Sequence, residues 1–273
     1  MLIDCHVHMD PFTDIEVSQI LDRARNVDIS LVVSAGTTVE SSARSVELSS
    51  KFPDIFSGVG IHPMDLLNPI DETTYQQLKN MVISTDKVLV ISEIGLDFME
   101  GAPDLALQYQ AFREQIRLAR ELSIPIVFHS RRAHEDTLRV LLEEQAYEVG
   151  GVMHYFQADL KTARRAIDLG FHISLARPLL KLPELQQVAA ALPLESIVLE
   201  TDTAPQPFKA KRQNWTEPRH LRDIAEKLAE LQNKSVEEIA TTTSHNFLCL
   251  LKTRCASVLK YIKVEDSMPG SAN

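Results

Sequence analysis

Apolar residues recur along this chain with two alternating periods. Short runs rich in Val, Ile and Leu are separated by longer stretches in which apolar residues return at spacings of three and four. The first kind reads as buried β-strand and the second as amphipathic helix. Eight strand-like runs can be marked: Leu2–Met9, Leu31–Thr37, Phe56–His62, Val88–Gly95, Ile124–His129, Gly151–Phe156, His172–Ala176 and Ile197–Thr201. Between them the spacing predicts helices over Ile15–Arg25, Val39–Lys51, Tyr75–Thr85, Leu105–Leu122, Glu135–Gln145, Asp159–Leu169 and Pro183–Ala191. Two more, Pro218–Gln232 and Val236–Lys252, follow the last strand. Asp159 and Ser235 suit N-cap positions, and Ser235-Val-Glu-Glu238 has the form of a capping box.

Strict strand–helix alternation implies a parallel sheet with right-handed crossovers. Eight such units close into a (β/α)₈ barrel, and 273 residues suit that fold as a single domain, here 1–262. A doubly wound open sheet is the alternative, but no GxGxxG follows the first strand. The tail 263–273, with its EDSMPGSAN stretch, reads as disordered. Three cysteines, Cys5, Cys249 and Cys255, give no even disulfide framework and no CxxC pair, which points to a reduced interior. The first strand begins at Leu2, which leaves no room for a signal peptide, and no apolar run is long enough to span a membrane. The expectation is a cytoplasmic protein with no obligate protein partner. A net charge of −10 argues against broad electrostatic binding of nucleic acid but leaves room for a local basic rim.

Six potential metal ligands fall at the ends of these strands: His6, His8, Glu93, His129, His154 and Asp202. Strand alternation is expected to send His6 and His8, with Asp4, to one face, and Cys5 to the other. Glu93 sits among apolar neighbours in ISEIGLD, where an unpaired buried charge is very costly. It must be ion-paired, with an arginine the natural partner, or protonated, or bound to metal, and a carboxylate bridging two cations is the favoured reading. Asp202 can both touch a metal and take a proton from its water, or else simply cap the following segment. His134, His172, His220 and His245 share no strand-end context and are read as structural or surface groups. No GxSxG elbow, P-loop or zinc-finger spacing competes.

In this order, the stretches IDCHVHMD, GVGIHPMD, ISEIGLDF, PIVFHSRRAHEDTLRVL, GGVMHYF, VLETDTAP, NWTEP and SVEEIATTTSHNFLCLL resemble the TatD family of metal-dependent deoxyribonucleases, within the amidohydrolase-like barrels. The resemblance implies a (β/α)₈ barrel that hydrolyses phosphodiesters at DNA ends, as a 3′–5′ exonuclease, with a metal-activated water. It also implies that His6, His8, Glu93 and Asp202 hold one divalent cation and Glu93, His129 and His154 a second. Mg²⁺, Mn²⁺ and Zn²⁺ all remain open. Two loops depart from the family pattern: Tyr155-Phe156-Gln157-Ala158 stands where Cys-Phe-Ser-Gly is usual, and SLARPLL lacks a common Gly. Both bear on substrate choice.

Around that centre, Asp202 and Glu93 are the expected catalytic carboxylates. His62, in GIHP, has no place in a six-ligand scheme and is expected either to contact a substrate phosphate or to bond backbone in a turn. Arg131 and Arg132, Arg177 and Lys181, and Lys209, Lys211 and Arg212 are expected at the barrel mouth, where the alternative is a solvated rim. Trp215 is expected to stack a base or, alternatively, to pack beneath the following helix. An ester or amide hydrolase, such as a deacylase on an aminoacyl end, is the rival activity, and a non-catalytic binding subunit the rival class.

Overall fold

The computed structural model describes residues 1–267, with side chains through residue 261. Eight parallel strands pair in sequence order: β1 Leu2–Val7, β2 Ile29–Ala35, β3 Ile55–Val59, β4 Val88–Asp97, β5 Ile126–Arg131, β6 Gly151–Met153, β7 Phe171–Leu175 and β8 Ile197–Leu199. A parallel bridge between Val7 and Thr203 joins β1 to the segment after β8 and closes the ring. Consecutive order with closure is the expected (β/α)₈ barrel, and it excludes a doubly wound sheet.

Helices α1 Asp14–Arg25, α2 Val39–Lys51, α3 Glu72–Ser84, α4 Leu105–Leu122, α5 His134–Glu143, α6 Leu160–Asp168 and α7 Pro183–Ala191 are the crossovers, and α8 Leu221–Gln232 follows β8. The starts of α1, α2, α3, α4 and α6 are set by short polar side chains that accept otherwise orphaned N–H groups: Thr13, Thr38, Asp71, Asp104 and Asp159 each do so. Ser235 caps α9 Val236–Leu250 through the Glu238 N–H, but the expected reciprocal box does not form, because the Glu238 carboxylate pairs with Lys234 instead. A further helix, α10 Cys255–Ser267, had no clear periodic signal. The segment read as a tail from Lys263 begins inside it, and 268–273 lie outside the described residues. Among the described residues no helix is long and apolar enough to cross a membrane.

Two apolar clusters hold the layers. The larger joins outward strand residues such as Val32, Ile55, Ile91, Ile126 and Ile173 to the helices through Ile20, Leu48, Leu78, Phe112, Leu138 and Ile224. The smaller gathers Ile3, Cys5, Leu31, Val33, Phe56, Leu89, Val127, Val152 and Val198 from the strands with Phe247 and Leu250 of α9 and Val258 of α10. The two last helices thus pack against the strand residues of the second cluster and leave the C-terminal strand ends as the open rim.

One expectation about β1 fails. Its pairing with β2 slips register between Asp4 and Val7, so simple alternation does not hold there. Asp4 turns away from the histidines and accepts from the Thr201 N–H at 2.9 Å and the Thr201 hydroxyl at 2.6 Å. Cys5 joins the smaller cluster, 3.7 Å from Ser174 Oγ and 4.0 Å from Glu200 Oε2.

Candidate metal centre

Glu93 lies on β4 and is almost wholly buried. Five imidazoles from four elements of the barrel rim surround its carboxylate. His129 Nδ1 is 3.0 Å from Oε1, and His62 Nε2 and His154 Nε2 are each 3.4 Å from it. His6 Nε2 and His8 Nε2 lie 3.4 and 3.6 Å from Oε2. Burial alone would push this carboxyl up, but the surrounding histidines, His154 foremost, hold it well below the usual range. No arginine pairs with it among the described residues, which removes the ion-pair alternative. Asp202 completes the cluster, with Oδ1 3.3 Å from His8 Nε2 and 4.0 Å from His6 Nε2. Burial opposes its ionisation, yet the hydrogen bond to His8 and the nearby His154 keep it charged, at about 2.

A packing detail of β4 makes this approach possible. Gly95 has φ +146, and a Cβ there would stand 2.0 Å from the His129 carbonyl oxygen. Only glycine accepts both that backbone and that contact, so β4 and β5 can close enough to bring Glu93 against His129.

What lies behind each ring decides which nitrogen carries its proton. His8 Nδ1 sits 3.1 Å from the Ala35 carbonyl, and His129 Nε2 sits 2.9 Å from Asp97 Oδ2. His154 Nδ1 lies 2.9 Å from Glu200 Oε1, too oblique for a good hydrogen bond but a close ion pair. Each acceptor keeps the proton on the far nitrogen and turns the other toward Glu93, as in metal-ligating histidines. His62 is the opposite case. Its Nδ1 accepts from the Met64 N–H at 3.1 Å, so in the neutral ring Nε2 bears the hydrogen. His62 Nε2, Glu93 and His129 converge closely enough to suggest a third ligand group. The backbone bond makes His62 a donor instead.

Asp97 and Glu200 are the carboxylates behind these rings that the strand-end rule did not isolate. Asp97 also accepts from Arg131 Nε at 2.7 Å and from the Met99 N–H at 2.9 Å. Glu200 accepts from the Ser174 hydroxyl at 2.6 Å and from the Tyr155 N–H at 2.8 Å. Asp97 ends the ISEIGLD run and Glu200 sits two residues before Asp202, so the signal was a second carboxylate on each ligand-bearing segment.

The donors fit divalent metal. His6 Nε2 and His8 Nε2 lie 3.3 Å apart, both beside Glu93 Oε2, and the buried His6 Nδ1 has no partner among the described residues. His6, His8 and Glu93 form one group of converging ligand atoms, and His6, His154 and Asp202 another. Lone pairs aimed at one point are stabilised by a cation held there. Above them opens a cavity of about 660 Å³, lined by the cluster together with Met99, Ser130, Arg131, Arg132, His134, Tyr155, Gln157 and Ala204. Arg132, Tyr155 and Asp202 all have left-handed backbone, with φ of 56, 47 and 52, at three of the rim turns. Such conformations in non-glycine residues collect at functional sites.

The remaining sequence candidates divide. Arg131 lines the cavity while bound to Asp97. His134, expected to be structural, is also a wall residue, with Nδ1 2.9 Å from Ser130 Oγ. Lys209 donates to the Asn214 carbonyl at 3.0 Å. Lys211 and Arg212 do not line this cavity but a separate groove against α1. Trp215 turns inward: its ring lies 6.4 Å from that of Phe12, with the Arg212 guanidinium 4.2 Å over it, and it packs on the larger core cluster. Apolar contact on one side and a cation on the other leave little of its face for a base.

A parallel barrel with imidazoles and carboxylates converging at its C-terminal rim is the architecture of metal-dependent hydrolases. Comparison with known proteins agrees. The model of a family described as TatD related DNase matches residues 3–252, and the chain belongs to that family. It is 32% identical over 254 residues to the uncharacterized metal-dependent hydrolase YabD of Bacillus subtilis, covering 90% of this chain and 97% of that one. Human deoxyribonuclease TATDN3 is 29% identical over 262 residues, covering 91% and 94%. The crystal structure of YJJV, a TatD homolog from Escherichia coli K12, superposes with a TM-score of 0.82 at 28% identity, covering 91% of this chain and 97% of that one. The chain is therefore a metal-dependent hydrolase.

Proposed function

We propose that this hydrolase cleaves phosphodiester bonds at DNA ends. The observation that carries the reading is a buried carboxylate, Glu93, ringed by imidazoles at the floor of a cavity whose wall includes Arg131 and Arg132. His6, His8, Glu93 and Asp202 would hold one divalent cation, and Glu93, His129 and His154 the other. When bound, such cations acidify water and neutralise charge developing on phosphoryl oxygens. The imidazole-rich donor set favours Zn²⁺ over Mg²⁺.

The chain's own groups supply the rest. Asp202 is ionised and, with its side chain 29% exposed, is the most accessible carboxylate of the cluster, which suits it to take the proton of the attacking water. His62 directs its Nε2 hydrogen at the same space and is placed to donate to a phosphate oxygen. Arg131 is fixed by Asp97, and Arg132 has no hydrogen-bond partner among the described residues. Both present guanidinium donors to a bound phosphate. Asp97 and Glu200 orient His129 and His154. The deoxyribonuclease name of TATDN3 accords with this reading.

A substrate panel tests it: single-stranded oligonucleotides labelled at either end, bis(p-nitrophenyl) phosphate and p-nitrophenyl carboxylic esters, each with and without chelator. Chelator-sensitive trimming of the oligonucleotide from its 3′ end is expected. Cleavage of the carboxylic esters with no phosphodiester turnover would refute the proposal in favour of a deacylase.

A further inference from the structure

A second cationic groove of about 540 Å³ lies against α1, outside the catalytic cavity. One wall is Gln19 and Arg23 of α1, and the other is Lys211, Arg212 and Gln213 of the β8–α8 loop, with Arg219 beyond. Four cations there face two carboxylates, Glu16 and Glu217, in a chain whose net charge is −10. Arg23 already takes both oxygens of the buried Glu217, at 2.7 and 2.8 Å. Arg219 Nε and Arg212 Nη1 approach the same carboxylate at 3.3 and 3.7 Å without aligning for a hydrogen bond. Both nitrogens are buried, and neither has an acceptor among the described residues. Glu16 Oε1 is 3.9 Å from Arg212 Nη2, beyond hydrogen-bond reach. Buried guanidinium donors in excess of their carboxylates ask for further anionic oxygens, and phosphate matches their fork geometry.

We propose that this groove binds the phosphate backbone of the single strand that extends away from the cleaved end, an assignment that rests on the phosphodiesterase reading above. The β8–α8 loop links the two places. Asp202 and Ala204 wall the catalytic cavity, and Lys211 walls the groove. The seven steps of chain from Ala204 to Lys211 can span at most roughly 25 Å, the reach of a short oligonucleotide. Between them Phe208 is 80% exposed, an aromatic face open to a base. Lys209 follows it, close enough to Arg177 and Lys181 that these cations, after burial, push its ammonium downward. An exposed aromatic flanked by cations is how single strands are tracked without reading their sequence. A free nucleotide or inorganic polyphosphate would use the groove without the track.

Charge reversal tests this on the metal-loaded enzyme. Lys211 and Gln213 are exposed and their side chains have no partner among the described residues, so Lys211→Glu with Gln213→Glu should melt with the parent. Fluorescence anisotropy with a labelled 12-nucleotide single strand should show affinity at least 10-fold weaker. The plot of log affinity against log salt should flatten by about 0.7 for each phosphate that the protein no longer neutralises. The ratio of kcat/KM for the 12-mer to that for bis(p-nitrophenyl) phosphate should fall by a similar factor. Gln19→Glu, on the opposite wall, should weaken 12-mer binding in the same direction. Unchanged 12-mer affinity and salt slope in both variants would overturn the proposal. So would inorganic tripolyphosphate binding the parent as tightly as the 12-mer, which would mark a free-anion site. The binding measurements need no turnover: a parent that cleaves phosphodiesters while the variants bind normally refutes the groove alone. A parent that binds the strand through the groove but cleaves only carboxylic esters refutes the activity alone.

Discussion

Replacing Trp215 with alanine separates a packing role from a stacking one. The indole rests on Phe12 at 6.4 Å, carries Arg212 at 4.2 Å and packs on the core that joins the strands to the helices. Full truncation of a core Trp costs about 3–5 kcal/mol. Trp215 is only partly buried, and its indole N–H, though buried, has no acceptor among the described residues to lose. The packing loss is therefore smaller, about 2 kcal/mol, with roughly 0.5–1 kcal/mol more for the Arg212 interaction. At about 2–4 °C per kcal/mol for a chain of this size, the melting temperature should fall by roughly 5–12 °C. Stacking on a base would instead show as about 1–3 kcal/mol of binding, or roughly 5- to 150-fold in oligonucleotide affinity. Differential scanning calorimetry and anisotropy on the same preparation distinguish them, and Trp215→Phe should recover most of the stability. An unchanged melting temperature with oligonucleotide binding weakened fivefold or more would refute the packing assignment.

The Asp202→Asn variant should fold normally and lose about 10²–10⁴-fold in turnover, read from kcat on the chromogenic diester; activity within a few-fold of the parent would reduce Asp202 to a cap. His62→Ala should raise KM and keep bound metal by elemental analysis, whereas loss of metal would show that His62 is a ligand after all. Gly95→Ala should destabilise the fold by more than about 2 kcal/mol and lower its metal content, because the new Cβ collides with the His129 carbonyl; a variant of parental stability would refute that collision. In the metal-free chain burial opposes the charge on His8 and His154, but the carboxylates of Asp202, Glu93 and Asp10 together outweigh it at His8, and those of Glu200, Glu93 and Asp202 together at His154, lifting them to about 9 and about 10. Raised folded-state values stabilise the metal-free fold fully below the unfolded histidine value of about 6.5, and that contribution fades as pH rises through about 9 to 10. Metal must displace these protons, so affinity should climb with pH across that window, and calorimetry in two buffers of different ionisation enthalpy at pH 7.5 should register proton release. Release of none would refute the protonation pattern.

The barrel was legible because two periodicities alternate eight times, and burial of parallel strands on both faces leaves an unmistakable Val–Ile–Leu signature. The convergence of the candidate ligands is legible for a related reason: a polar residue ending such a run falls at the C-terminal mouth of the barrel. What alternation could not show was the register slip in β1. Asp4, Cys5 and His6 were assigned faces by a period of two that the slip breaks, and nothing local in LIDCHV marks it. The course of the loop after β8 is illegible for another reason. Composition places lysine, arginine and tryptophan together in KAKRQNW, but whether that loop faces the mouth or folds back on α1 is decided by Phe12, Glu16 and Arg23, some two hundred residues away. Helix α10 escaped because its apolar residues serve the barrel floor through Val258, without a full amphipathic stripe.

The histidines illustrate why position alone does not assign chemistry. His8, His62, His129 and His154 all lie at or near the end of a strand-like run, and that position does not tell their roles apart. Their roles part at the nitrogen that faces away from the cavity. A carbonyl behind His8, a carboxylate behind His129 and another behind His154 each hold a proton there and free the inner nitrogen as a lone pair. Behind His62 stands a backbone N–H, held in place by the turn that Pro63 begins, and the inner nitrogen becomes a donor. Exchanging those backing groups should exchange the roles. Asp97→Asn can turn its amide NH₂ to the His129 ring, which would then present Nδ1–H to Glu93. Metal affinity should then fall by about 10- to 100-fold with every ligand still in place. Unaltered metal binding in Asp97→Asn would show that ring orientation, rather than the proton on the far nitrogen, is what Asp97 provides.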